Sequence, residues 1–109
     1  MPRIVVGIDA SSTYFLRTLE RVRDPRRRAE VLNTLRGLLL LDLDQAPSKL
    51  HLHPLKNREG RSALDATRRV TIWTVHVTAD DTLKASFTFE NGVVYLRRIA
   101  EHDALDKDP

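Results

Sequence analysis

The chain has 109 residues, enough for one domain of ordinary size with a hydrophobic core of its own. It holds no cysteine, which excludes disulfides, thiolate metal sites and cysteine nucleophiles, and its longest apolar run, Leu38 to Leu41, is far below the ~20 residues of a membrane span. With 18 Lys and Arg against 15 Asp and Glu the net charge is only +3, so a polyanion partner must be argued from where the charges sit.

Arg3 to Ile8 is a short β-branched run that reads as a strand. Ser11 and Ser12 offer capping oxygens to a helix carrying Phe15, Leu16, Leu19 and Val22 at helical spacing. Asp24-Pro25 predicts a second helix start, with an N-cap acid followed by a proline whose missing N–H costs nothing there. Ala29, Leu32, Leu35, Leu38 and Leu39 carry that helix to about Leu41, so the two form a hairpin. Residues 42 to 69 read as a long loop broken by a brief extended piece, Lys49 to His53.

The last third predicts three strands: Val70 to Thr78, Leu83 to Glu90 and Val93 to Ile99. Asn91-Gly92 makes a tight hairpin between the latter two. Leu83, Ala85, Phe87 and Phe89 alternate with polar residues. The register that pairs Glu90 with Val93 and His76 with Lys84 gathers Trp73, Val75, Val77, Val94 and Leu96 onto the same greasy face. The expected class is α+β, a helical hairpin packed on one face of a small antiparallel sheet in the order βααβββ.

The opposite face then displays Thr74, His76, Lys84, Ser86, Tyr95 and Arg97, beside Val70, Ile72 and Val93. The tail from Ile99 to Leu105 can fold back beside that face and bring His102 to His76, with His53 as a third imidazole. Imidazoles titrate near neutrality, so one can take a proton while another gives one. Cleavage of an RNA backbone needs that pair, together with cations for the charged phosphorane. A metal site would use His51 and His53 with His76 or His102, but no acid stands at a signature spacing and there is no His-Glu-x-x-His; no metal and no cofactor is expected.

Arg21, Arg23, Arg26, Arg27 and Arg28 form one basic cluster, and Lys49, Lys56, Arg58, Arg61, Arg68 and Arg69 a second, while the tail turns acidic. Two such clusters favour a phosphate-bearing partner. No basic segment followed by an apolar one opens the chain, so a cytoplasmic protein without a membrane partner is expected.

His53-Pro54-Leu55-Lys56, Trp73-Thr74-Val75-His76-Val77-Thr78, Leu83-Lys84-Ala85-Ser86-Phe87 and Arg98-Ile99-Ala100-Glu101-His102-Asp103-Ala104-Leu105 resemble, in that order, the RelE/ParE toxin superfamily. The likeness is greatest to histidine-rich members of the YafQ kind. It implies a RelE-like fold, ribosome-dependent cleavage of mRNA, and a cognate antitoxin as partner. It also implies that His53, His76, Asp80 and His102 carry cleavage, with Lys84 and Arg98 stabilising the phosphate. Lys49, Lys56, Arg58, Arg61, Arg68, Arg69 and Arg97 would then hold RNA. Ala100-Glu101 stands where the family has Gly-Thr, and Asp106 where an aromatic is common. The register puts Arg97 on the polar face; a bulge in the last strand would put Arg98 there. The resemblance leaves two alternatives, a ParE-like inhibitor of DNA gyrase and a non-catalytic binding module.

Overall fold

A computed structural model describes residues 2–109. Two capped helices follow a short first strand. β1 (Gly7–Asp9) leads into α1 (Thr13–Glu20), whose first turn is closed by the Ser12 hydroxyl accepting from the Phe15 N–H. Asp24 caps α2 (Pro25–Arg36) by accepting from the Arg26 N–H at 2.9 Å. α2 ends five residues before Leu41, because the leucines beyond it bond to the N-terminal segment: Leu40 donates to the Val5 carbonyl and Val5 to that of Leu41. Residues 3 to 5 thus serve that pairing, Val6 donates to the Gly92 carbonyl, and the regular strand begins only at Gly7.

The region from 42 to 69 is not a loop. After two 3-10 turns, Leu43–Gln45 and Ser48–Leu50, it forms a nine-residue strand, β2 (His53–Arg61), paired antiparallel with β3 (Arg69–His76). β2 shows no apolar alternation because it is an edge strand with most side chains in solvent. Pro54 near its start and an irregularity between Pro54 and Glu59, where Asn57 takes a positive φ, are features that edges tolerate.

β4 (Leu83–Glu90) and β5 (Val93–Glu101) complete a five-stranded sheet in the order β1-β5-β4-β3-β2. The expected pairings Glu90 with Val93 and His76 with Lys84 are present, and Val77 donates to the Leu83 carbonyl. Asn91 and Gly92 both have positive φ, as the tight hairpin turn requires. The sheet is mixed, not antiparallel, because β1 runs parallel to β5. The observed order is therefore βααββββα, the last helix being α3 (His102–Lys107). Among the described residues no helix is long and apolar enough to cross a membrane.

The core lies where the alternation puts it. Phe15, Val22, Val31, Leu35 and Leu38 from the helical side meet Trp73, Val75, Val77, Ala85, Phe87, Val94, Leu96 and Ile99. Trp73 and Phe87 stack with ring centroids 6.2 Å apart. β1 ends level with Tyr95, so among the described residues the outer edge of β5 beyond it lacks a strand partner. Thr18 of α1 supplies one: its buried hydroxyl accepts the Ile99 N–H at 3.0 Å and donates to the Phe15 carbonyl at 2.8 Å. Thr18→Val keeps the shape but leaves that N–H unpaired, and should lower stability by about 1–3 kcal/mol, read from the urea midpoint.

Candidate active site

β4 and β5 do not stay in register. Ser86 faces Arg98 and Phe87 faces Leu96, so Arg97 is the extra residue of a bulge. The bulge brings Arg98 opposite Ser86, on the face away from α1 and α2. That face is closed rather than open to solvent. α3 lies over β4 and β5, anchored by fully buried Leu105. Behind it Ser86 Oγ donates to the Pro109 carbonyl at 2.6 Å and Arg98 Nη1 to that of Asp108 at 2.6 Å. Thr74, His76, Lys84 and Ser86 are consequently buried. The cover forms because a short amphipathic helix with one apolar anchor meets a sheet face rich in hydrogen-bonding groups.

At the edge of this cover the imidazoles converge. His76 ends β3 and His102 begins α3, and their rings stand edge to face with centroids 5.3 Å apart. Each is held at Nδ1 by a carboxylate: Asp81 Oδ1 lies 2.9 Å from His76, and Asp106 Oδ2 lies 3.1 Å from His102. Asp106 also accepts from Lys84 Nζ at 2.8 Å, and the Lys84 side chain is only 4% exposed. With Nδ1 engaged, Nε2 is the nitrogen of each ring left to exchange a proton. His53, exposed at the start of β2, lines the same open hollow of about 620 Å³ as His76, Lys84 and His102. His51 lies there too, its ring centroid 4.5 Å from that of His76.

Two expected members stand elsewhere. Asp80 does not meet an imidazole: it bonds Thr82 and the Arg27 guanidinium, the latter at 3.0 Å. Its neighbour Asp81, turned by a φ of 60°, takes the place beside His76. Arg98 shares the face but does not line the histidine hollow, because its guanidinium is bound to Asp108. Asp81 and Asp106 escaped the sequence reading. The four-residue interval from His102 to Asp106 is a usable signal, since such residues stack on one helix face.

The basic residues divide. Lys56 and Arg58 border the histidine hollow, Arg58 donating to the Lys107 carbonyl at 2.7 Å, and Lys49 flanks His51 on the α2 side. Arg61, Arg68 and Arg69 are exposed at the other end of the β2–β3 pair, about 23 Å along β3 from His76 at ~3.3 Å per residue. Arg97 lies flat against Gly60, where a Cβ would come within 2.6 Å of its Nη1, and its buried Nε has no partner among the described residues. Burial, then the charge of Arg69, lowers its pKa from the ordinary arginine value.

Three carboxylates around the β3–β4 turn and α3 have lowered pKa values. The Thr78 and Thr82 hydroxyls, the Thr82 N–H and Arg27 hold Asp80 far down; the hydrogen bond to His76 lowers Asp81, and that to Lys84 lowers Asp106. The folded state therefore binds these protons less tightly than the unfolded chain. This stability is complete above the unfolded value of about 4 and is lost as pH falls through the lower folded values. Urea midpoints measured from pH 6 to pH 2 should fall below about pH 4, and Asp80→Asn should be less stable at pH 6 with a shallower acid decline.

No protein-family model matches the sequence, and no curated protein is significantly similar to it. The fold is similar to that of a copper-bound mutant toxin from Helicobacter pylori known from a crystal structure. The TM-score is 0.54 and the identity 14%, over 94% of this chain and 98% of that one. At that identity the likeness concerns the arrangement of helices and strands.

Proposed function

We propose that the chain is a toxin of the RelE type, an endonuclease that cuts mRNA on the ribosome in the cytoplasm and is restrained by a cognate antitoxin. The observation that carries this reading is the pair His76 and His102, 5.3 Å apart beside a buried lysine, each aligned by its own carboxylate. One imidazole takes the proton of a ribose 2′-OH, whose oxygen attacks the adjacent phosphorus. The P–O5′ bond breaks, and the other imidazole protonates the departing oxygen. The products are a 2′,3′-cyclic phosphate and a 5′-hydroxyl. Lys84 offsets the charge that builds on the phosphorane, where a cation in a dry site acts most strongly. The substrate phosphate competes with Asp106 for that ammonium.

Asp81 replaces Asp80 as the positioning residue in this scheme, and Arg98 becomes a clamp on the tail. His53, Lys56 and Arg58 border the substrate's path, while Lys49, Arg61, Arg68 and Arg69 offer phosphate contacts to ribosomal or messenger RNA. The resemblance to RelE-like βααβββ toxins read from the sequence and the toxin-like fold both agree with this proposal. The test is to add the purified chain to a translating lysate and map mRNA 5′ ends. New 5′-hydroxyl ends that appear only during translation, and vanish with His102→Ala, are expected. Intact mRNA with arrested DNA supercoiling would overturn the reading in favour of a gyrase inhibitor. Salt-sensitive RNA binding without cuts would favour a non-catalytic module.

A further inference from the structure

We propose that His51, His76 and Asp81 form a binding site for one divalent transition-metal ion, and that its occupation switches off the cleavage centre. The inhibitory consequence rests on the nuclease reading; the binding does not. One donor atom from each of the three residues lies within 4.8 Å of the others. Two imidazoles and a carboxylate suit ions of borderline softness such as Zn²⁺, and leave a further position for water.

The spacing is informative. With metal–nitrogen bonds of roughly 2.0–2.1 Å, two donors at a right angle stand about 2.9 Å apart, and at the tetrahedral angle about 3.4 Å. His76 Nδ1 and Asp81 Oδ1 are already 2.9 Å apart. His76 is fixed by β3, whereas His51 and Asp81 are exposed and can turn toward an ion without moving packed atoms. Both also sit in the left-handed backbone region, at φ 45° and φ 60°. Non-glycine residues seldom adopt it, and such strain gathers at functional sites. His51 has no part in the cleavage scheme, so its place against the His76 ring is otherwise unexplained.

A neutral imidazole with a metal on one nitrogen and its proton on the other has no free lone pair, and gives up its N–H only to strong base. His76 so bound cannot exchange a proton with RNA. The test titrates the full chain with Zn²⁺ by calorimetry and with Co²⁺ by visible absorption. One ion per chain is expected, with affinity falling at least tenfold in His51→Ala and in Asp81→Asn and changing little in His53→Ala; metal-free melting curves show that each variant folds. Absence of one-to-one binding, or affinity indifferent to His51→Ala and Asp81→Asn, overturns the site. In the translating lysate, free Zn²⁺ buffered at ten times the native chain's measured Kd should suppress cleavage by the native chain about tenfold and that by His51→Ala no more than about twofold. Cleavage untouched by a bound ion overturns the switch. A chain that binds Zn²⁺ as described but never cuts mRNA leaves the site standing and removes the nuclease reading.

Discussion

Replacing His76 with alanine should lower mRNA cleavage by roughly 10²–10⁴-fold, the usual contribution of a positioned general acid or base. Few positions combine its constraints. The ring is nearly buried at the end of β3, bound to Asp81 on one side and edge-on to His102 on the other, with Lys84 paired opposite it across the strands. Alanine there removes a proton carrier and leaves the lysine and the second imidazole in place, so the fall should appear in the cleavage step more than in RNA affinity. Melting curves of the variant separate chemistry from unfolding. Asp81→Asn keeps the size of the side chain but not its charge. Acting through His76, it should cost roughly 10–100-fold and alter the pH profile. Asp80→Asn should cost far less, because its carboxylate serves Arg27 and Thr82. Equal losses at the two aspartates would show that the turn as a whole matters, and not the contact to His76.

Phe87→Ala should lower folding stability by about 3–5 kcal/mol, a large share of the roughly 5–15 kcal/mol that holds a domain together. Phe87 is fully buried in the middle of β4, stacked on Trp73 and central to the apolar face that α1 and α2 cover. Neighbouring strands fix the backbone on both sides, so the cavity left by the ring cannot readily collapse. Leu40→Ala is the contrast: Leu40 is 73% exposed, and the change should stay within about 0.5 kcal/mol. Urea denaturation of the two variants measures the difference directly.

Part of this protein is written in short stretches of its chain. Asp24-Pro25 starts a helix because a carboxylate can cap it and a proline fits its first turn. Asn91-Gly92 reverses the chain because both residues accept positive φ. The alternation from Leu83 to Phe89 sets which residues face the helices, Asn91-Gly92 sets how β4 pairs with β5, and the short turn between β3 and β4 puts His76 beside Lys84 on the other side. These are effects of a few neighbouring residues, and they hold wherever the segment ends up.

Other features belong to the tertiary structure. β2 carries Lys56, Asn57, Arg58 and Glu59 where a buried strand would carry apolar residues, so only its pairing with β3 reveals it. β1 runs parallel to β5 because of the path the chain takes through two helices, which three residues cannot encode. The polar face is closed because Leu105 and the tail carbonyls find it, and this delivers His102 and Asp106 to His76 and Lys84. The choice of Asp81 over Asp80 turns on one backbone angle within a tight turn. Local sequence sets which groups a strand or helix presents. Which of them meet depends on contacts between residues distant in the chain, made only once the whole core has formed.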